Sequence, residues 1–160
     1  MTRLLFLKLE TSGLINTKES LSDPSQPWAV AIAAELTDEQ GRSMEHIHLR
    51  VRADGRRISS GAEAVHGISN VSAGREGVSE AAAIGALVGM VNQIGPGGRV
   101  VGHGIEFDRQ VIAGVLMRRQ KADAALAMWN RAGLEWLCLR KSATAFCRIA
   151  SDTDPDGYRE

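Results

Sequence analysis

A short apolar run near the start of the chain, "LLFLKLETSGL", constrains the fold more than any other stretch. Apart from Lys8, residues 4–9 are apolar, and a run of this length is typical of a strand buried on both faces of a sheet. The turn-forming "TSG" ends the run. We therefore expect a strand over residues 4–9, with Glu10 at its carboxyl end.

Strands come first along the chain and helices follow. "WAVAIAAEL" predicts a second strand near residues 28–36, "HIHLRVR" a third with one wet face near 46–52, and "TDEQGRS" a hairpin turn between them. A short helix fits within "SSGAEAVHGIS", and Ser79 is placed to cap a longer one. A brief strand near 99–102 precedes the amphipathic "FDRQVIAGVLMRRQ". This order predicts an α/β fold with a mixed sheet, an antiparallel three-strand meander plus parallel strands, flanked by helices.

The helical segments predict part of the core. The helix after Ser79 is expected to bury Ala82, Ile84, Leu87, Val88, Val91 and Ile94. The next amphipathic segment is expected to bury Val111, Ile112, Val115 and Leu116. His66 is expected at a helix end, and the sequence beyond Gln120 allows a helix, a strand and a turn. We expect one domain over residues 1–150 and a polar, acidic tail over 151–160.

The charge of the chain is balanced overall but unevenly distributed. Nineteen Lys and Arg residues match nineteen Asp and Glu residues, so the whole chain has no strong electrostatic attraction for nucleic acid. Residues 99–148, however, carry nine basic and four acidic side chains. This excess favours phosphate binding by that half, although basic runs are more often solvated faces.

The cysteines and the apolar runs of the sequence indicate where in the cell the protein is expected. Cys138 and Cys147 are too few for a disulfide framework and lack metal-site spacing, so we interpret them as reduced core residues. The chain opens without a signal segment, and no apolar run approaches the length of a membrane span. We expect a cytoplasmic protein without a membrane partner.

Two carboxylates are candidates for chemistry. Glu10 ends the first strand, and an acid at position 8 would project from the same face, as two carboxylates that jointly hold divalent metal must do. Lys8 stands at that position with the opposite charge. Glu10 alone can equally be an exposed strand-end acid. Asp108 shares a helical face with Val111 and Ile112, where an acid in the first turn either complements the helix dipole or serves a site.

Three motifs together resemble one family. "FLKLETSGL" resembles the first motif of the proofreading-type, epsilon-subunit-like 3′–5′ exonucleases, the DEDD group of the ribonuclease H-like superfamily, whose pattern is Asp-x-Glu-Thr-x-Gly. "GAEAVHGIS" is similar to the segment between their third strand and next helix. "VVGHGIEFDRQVI" is similar to their second motif, normally His-Asn-x-x-Phe-Asp. The resemblance covers about residues 4–119, continues weakly to 149, and implies a ribonuclease H-like fold.

The resemblance also implies site residues. The family binds two Mg²⁺ or Mn²⁺ ions through four acidic residues, and a histidine or tyrosine of its third motif helps to activate water. Glu10 matches the second acid of motif one and Asp108 the acid of motif two, which implies that both are metal ligands. The implied nucleic-acid contacts are Thr11, Ser12, Gly13, His103 and Phe107.

The chain departs from the family pattern at three places. Lys8 replaces the first acid, Gly104 replaces the asparagine of motif two, and the third motif, His-x-x-x-x-Asp, is missing together with the C-terminal helix that bears the last acid. Two ligands of four therefore remain, and a lysine ammonium repels the divalent ion they would hold. We expect a degenerate site that binds no metal, in which Lys8 occupies the place of the cation between Glu10 and Asp108.

Three functions compete at this stage. The one we favour is a catalytically impaired exonuclease-fold protein that binds single-stranded nucleic-acid 3′ ends or nucleotides, because the "ETSG" loop and the basic half are retained. The second is an active, divalent-metal-dependent 3′–5′ exonuclease completed by missing C-terminal residues or by another chain. The third is a non-catalytic protein-interaction module that uses the fold as a scaffold.

The resemblance finally predicts an uncovered surface. In the family fold a C-terminal helix covers one face of the sheet, and here that face is expected to present apolar side chains from "LLFLKL" and "VV". Large bare apolar patches are unusual on soluble monomers, so we predict a two-fold homodimer through this face. The alternative is that "ALAMWNRAGLEWLCL" fills the gap with Trp129 and Trp136.

Overall fold

A five-stranded mixed sheet forms the centre of the fold. The structure is a computed structural model that describes residues 2–120 and 122–147. The strands, in the spatial order β3-β2-β1-β4-β5, are β1 (Leu4–Thr11), β2 (Ala29–Thr37), β3 (Ser43–Arg50), β4 (Arg99–Gly102) and β5 (Glu135–Cys138). β1, β2 and β3 form an antiparallel meander, whereas β4 runs parallel to β1 and β5 parallel to β4. The predicted mixed sheet and its first four strands are confirmed.

Six helices accompany the sheet within the described residues. They are α1 (Ser60–His66), α2 (Asn70–Glu76), α3 (Glu80–Asn92), α4 (Ile105–Met117), α5 (Asp123–Trp129) and α6 (Leu139–Cys147). The predicted cap is confirmed, because the Ser79 hydroxyl accepts a hydrogen bond from the Ala82 amide at the start of α3. His66 ends α1 as predicted, whereas the sequence reading missed α2. The predicted tail over 151–160 lies outside the described residues.

Among residues 2–120 and 122–147, none of the helices combines the length and the apolar character that crossing a bilayer requires.

Along the central strand, β1, helices cover one face of the sheet and leave the other face exposed. α4 packs on β1 and α3 on β2 and β3, and Leu5, Leu7 and Leu9 are buried beneath them. On the other face Phe6 is 39% exposed and Lys8 is exposed. The expectation that β1 is buried on both faces is therefore wrong. Its side chains alternate between an apolar face that meets helices and a face that carries charge.

The core differs in detail from the predicted one. Val111, Ile112, Val115 and Leu116 of α4 are buried as predicted. On α3, Ala83 and Met90 are buried, while Ala82 is exposed and Val88 half-buried. The buried stripe of α3 is thus rotated from the predicted one, because the positions that face the sheet are set by packing and not by apolar character alone.

The two tryptophans beyond residue 120 belong to the helix-covered side. Trp129 is fully buried, donates its indole N–H to the Arg109 carbonyl oxygen at 3.1 Å, and meets Trp136 edge to face with ring centroids 4.9 Å apart. Trp136 aligns with Val100, which aligns with Leu5 on the helix-covered face. The alternative in which these tryptophans fill the opposite face is therefore wrong.

Candidate nucleic-acid site

The carboxyl end of β1 brings Lys8 and Glu10 to one side of the sheet. They lie two residues apart on the strand, and their partners across β2 are the small Ala33 and Ala31. Pairing between β1 and β4 ends at Phe6, so the last residues of β1 extend beyond β4. This end of the sheet is where the first turn of α4 can approach the strand.

Two glycines allow that approach. A Cβ at Gly102 would lie 2.6 Å from the Leu7 carbonyl oxygen and 2.8 Å from Cδ1 of Ile105, so a side chain there would force the strand and α4 apart. Gly104, the N-cap of α4, has φ of 68° in the left-handed region. Glycine and asparagine are the residues that tolerate this conformation best. Gly104 is therefore suited to this turn, and it contributes no side chain to the site.

Asp108 is the buried carboxylate of the site. It lies in the first turn of α4, is 1% exposed, and its Oδ2 atom has no hydrogen-bond partner among the described residues. Burial raises its pKa to about 6. The Lys8 ammonium and a hydrogen bond from the Leu9 backbone amide counteract this rise, and the Glu10 carboxylate adds to it. Asp108 is thus close enough to both residues of β1 to sense their charges.

Lys8, Glu10 and Asp108 form a cluster of two acids and one base. Divalent metals of the Mg²⁺ class are held by several oxygen ligands, and paired metals need a larger acidic set. Among residues 2–120 and 122–147, no group of three or more His, Cys, Asp or Glu side chains is placed to hold a metal ion. The described donor set, with an ammonium beside it, does not fit the two-metal centre that the family resemblance implies.

A cavity of about 390 Å³ opens beside this cluster at the end of β1, and we call it the end cavity. Its polar wall comes from β1 and the residues around α1: Lys8, Glu10, Thr11, Ser59 and His66. Its apolar wall comes from Leu14, Ala62, Val65 and Phe107. Leu14 is 86% exposed and Val65 84%, the highest values among the large apolar side chains of the described residues. Such uncovered apolar surface, facing a polar wall, is typical of a ligand site.

His66 fixes the polar wall through both of its ring nitrogens. Its Nδ1 atom accepts a hydrogen bond from the Ile68 amide at 3.0 Å. The other nitrogen, Nε2, must then carry the proton in the neutral ring, and it lies 3.3 Å from the Thr11 carbonyl oxygen. The histidine therefore connects the end of α1 to the end of β1, across the floor of the end cavity.

The predicted nucleic-acid contacts divide into three groups. Thr11, Gly13 and Phe107 line the end cavity. Ser12 does not line it, because the residue is 8% exposed and its hydroxyl accepts a hydrogen bond from the Trp28 amide at 3.2 Å. His103 is exposed after β4 and lines two neighbouring cavities instead.

The sequence motifs did not predict three residues that line the end cavity: Leu14, Ser59 and Val65. Leu14 and Val65 are single apolar residues in turn and helix segments, which give no periodic signal. Ser59 caps α1 by accepting a hydrogen bond from the Ala62 amide, and its backbone amide donates to the Ser12 carbonyl oxygen at 2.9 Å. The capping pattern was visible in the sequence, but its position beside β1 depends on the tertiary fold.

Arg118 holds the long loop that follows β1. Its guanidinium donates to the carbonyl oxygens of Leu21 at 2.9 Å and Pro27 at 3.0 Å, with a longer contact to that of Asp23. The loop also lies against Gly114, where a Cβ would come within 2.7 Å of the Leu21 carbonyl oxygen. This packing on α4 holds the loop whose first residues, Gly13 and Leu14, border the end cavity.

The basic half of the sequence does not form one free cationic surface. Several of its residues are engaged within the fold: Arg99 with Glu135, Arg119 with Glu80, Lys141 with Glu106, Arg118 with loop carbonyls, and Arg131 with the Ile94 carbonyl oxygen. The count of basic residues therefore overstates the positive charge available to phosphate.

Cys138 lies at the junction of α4 and α6. It is a free, buried thiol, as predicted, whereas the side chain of Cys147 lies outside the described part. Burial alone would raise the pKa of the Cys138 thiol, but hydrogen bonds from the backbone amides of Lys141, Gly104 and Ile105 lower it below its usual value.

Comparison with solved structures identifies the fold. Escherichia coli exonuclease I in complex with a dT13 oligonucleotide superposes with a TM-score of 0.71 and 20% identity, over 98% of this chain and 33% of that one. The metal-free form of its complex with single-stranded DNA gives 0.69 and 19%, over 96% and 31%. The zinc-bound form gives 0.70 and 19%, over 95% and 31%.

These likenesses establish the fold. It is ribonuclease H-like, as the resemblance implied, and the chain spans about a third of the length of the structures it matches. No family model matches the sequence, and no curated protein matches it significantly.

Proposed function

We propose that this protein binds the 3′-terminal nucleotide of single-stranded nucleic acid in the end cavity and does not by itself hydrolyse the strand. The observation that supports the proposal is that two features lie side by side. One is an open cavity with exposed apolar side chains, and the other is a set of carboxylates, incomplete among the described residues. The first feature favours a bound base. The second argues against metal-assisted chemistry by these residues alone.

The walls of the end cavity suit a nucleotide. Leu14, Val65 and Phe107 offer apolar and aromatic surface against which a base can pack. The backbone of Thr11 and the hydroxyl of Ser59 offer polar atoms to a sugar. The volume of about 390 Å³ lies within the range of small-ligand sites, about 300–1,000 Å³. Exonuclease I, which shares the fold, is known in complex with single-stranded oligonucleotides.

The carboxylate cluster supports the second part of the proposal. Metal-assisted displacement at phosphorus needs a set of acidic ligands that holds its ions firmly. The described site offers Glu10 and Asp108, and Lys8 places a positive charge beside them. Glu10 and Asp108 therefore serve here as acids balanced by a lysine, and no step of hydrolysis is assigned to them.

Binding can be tested with a matched pair of variants. Val65 and Val71 are both highly exposed valines on short helices, but only Val65 lines the end cavity. Fluorescence anisotropy with a 5′-labelled oligo-dT strand should show Val65→Asp binding about tenfold more weakly than the wild type, and Val71→Asp binding like it. Equal losses in both variants, or in neither, would contradict the end cavity as the binding site.

A second candidate is an exonuclease completed by residues outside the described part of the chain. One observation favours it: the Oδ2 atom of Asp108 is buried, has no partner among the described residues, and lies near Glu10. An added ligand or metal there would satisfy this atom. Metal-dependent release of mononucleotides from a single strand distinguishes this candidate from the first.

A further inference from the structure

Lys8 lines two neighbouring cavities. It is the residue shared by the end cavity and by the larger one, of about 650 Å³, on the sheet face that carries Phe6, where Leu139 of α6 also lines it. Its side chain is exposed and makes no close ion pair with another described residue. Its ammonium is therefore available at the boundary between the two cavities.

Two carboxylates lie near that boundary, and a cation is required to balance their negative charge. Glu10 and Asp108 would together repel the phosphate of any nucleotide in the end cavity. His66, the other basic side chain on the cavity wall, has both ring nitrogens placed on backbone groups. Lys141 is paired with Glu106 at 3.2 Å. Among the described residues that line the end cavity, Lys8 is the one with a free positive charge to oppose the two carboxylates.

We propose that the Lys8 ammonium is the resident cation of this site: it balances Glu10 and Asp108 and contacts the phosphate of the bound terminus, so that binding requires no divalent metal. This inference rests on the proposed function and adds to it the source of the positive charge. The ligand class is a nucleotide or single strand that bears a phosphate next to its terminal nucleoside.

The test compares two lysines. Lys18 is an exposed lysine on the loop after β1 that does not line the end cavity, so Lys18→Met removes the same charge from elsewhere. Lys8→Met and Lys8→Arg complete the set. Binding of a 5′-labelled oligo-dT strand is measured by anisotropy in EDTA and in Mn²⁺, over a series of salt concentrations. Thermal unfolding of each variant confirms that it is folded.

The wild type should bind in EDTA within about twofold of its affinity in Mn²⁺. Lys8→Met should bind about tenfold more weakly in EDTA, and its plot of log affinity against log salt should be shallower by about 0.7, the contribution of one phosphate contact to a single strand. Mn²⁺ should restore part of that loss, because the carboxylates are then unopposed. Lys8→Arg should retain metal-free binding, and Lys18→Met should match the wild type.

Different failures have different meanings. If the wild type binds in neither condition, the proposed function is wrong, and this inference is wrong with it. If it binds in Mn²⁺ but not in EDTA, the proposed function stands and the role of Lys8 is contradicted. If Lys8→Met binds in EDTA as tightly as the wild type, with an unchanged salt dependence, the role of Lys8 is contradicted as well.

Discussion

The Lys8 ammonium of β1 acts on the buried carboxylate of Asp108 in α4 and opposes the rise in the Asp108 pKa that burial causes. Glu10 acts on the same carboxylate in the opposite sense. The two acids and the lysine thus form one electrostatic unit, although they come from a strand and a helix far apart in the sequence. The properties of the site follow from the balance of these three charges.

Replacing Asp108 by asparagine should change how stability depends on pH. The pKa of Asp108 is raised from 3.8 to about 6, so between these values the folded chain holds a proton that the unfolded chain has lost. Wild-type stability should therefore fall as pH rises through this window. Relative to Asp108→Asn, the wild type should lose up to about 3 kcal/mol of unfolding free energy between about pH 4 and pH 7.

Urea unfolding of both proteins at several pH values measures this difference. Asp123→Asn is the matched control, because Asp123 is an exposed acid in the first turn of α5. Stability curves of the wild type and Asp108→Asn that stay parallel across the window would show that Asp108 titrates normally in the fold.

Two substitutions at Gly104, in the turn that leads into α4, should differ in their cost to the free energy of unfolding. No atom lies within 4 Å of a Cβ built there, so the cost of a side chain comes from the left-handed backbone conformation alone. Gly104→Ala should lose about 1–2 kcal/mol of unfolding free energy, and Gly104→Asn clearly less, because asparagine tolerates this region better. Equal losses in thermal or urea unfolding would mean that φ at this position is not what limits substitution.

Removal of the Arg118 side chain should loosen the loop after β1. Arg118→Met leaves the carbonyl oxygens of Leu21 and Pro27 without their donor, at a cost of about 1–3 kcal/mol. Hydrogen exchange should accelerate across residues 13–28. Arg42→Met, which removes an arginine side chain that is 77% exposed and paired with Asp38, should cost less than about 1 kcal/mol and leave that loop unchanged. Unchanged exchange in Arg118→Met would show that the loop is held by other contacts.

Self-association through the sheet face that carries Phe6 remains a prediction. That face is more polar than the sequence reading expected, since Phe6 and Val101 share it with Lys8, Glu35 and His46. Phe6 is its exposed aromatic residue, so Phe6→Glu should shift a dimer to the monomer in light scattering, whereas Val71→Glu should not. A wild type that is monomeric at all concentrations would contradict the predicted dimer.

The strands were predictable because their patterns are local. The apolar run that leads to Glu10 and the alternation in "HIHLRVR" each indicate a strand without knowledge of the rest of the fold. The exposure of Phe6 was not predictable in this way, because a continuous apolar run does not show which of its faces a helix will cover. α2 was missed because a seven-residue helix gives almost no periodic signal.

Only those site residues that belong to a recognisable sequence motif could be predicted. Asp108 was singled out by its place on the buried face of α4, and its 1% exposure agrees with that placement. Leu14 and Val65 could not be found from sequence, because their importance comes from being uncovered beside one cavity. The buried Ser12 shows the converse: a residue inside a motif can serve the backbone and not the ligand.

Incubation of the wild type with a 5′-labelled single strand in Mg²⁺ or Mn²⁺ decides between binding and hydrolysis. Without a complete metal cluster the barrier reduction is smaller by several kcal/mol, which corresponds to a few orders of magnitude in rate. We expect the strand to be bound and recovered at full length, and we expect Lys8→Asp to leave it intact as well, because that change adds one acid to Glu10 and Asp108 and does not supply the fourth that the family resemblance implies. Metal-dependent release of mononucleotides by the wild type, abolished by Glu10→Ala, would contradict the proposed function and identify an active exonuclease.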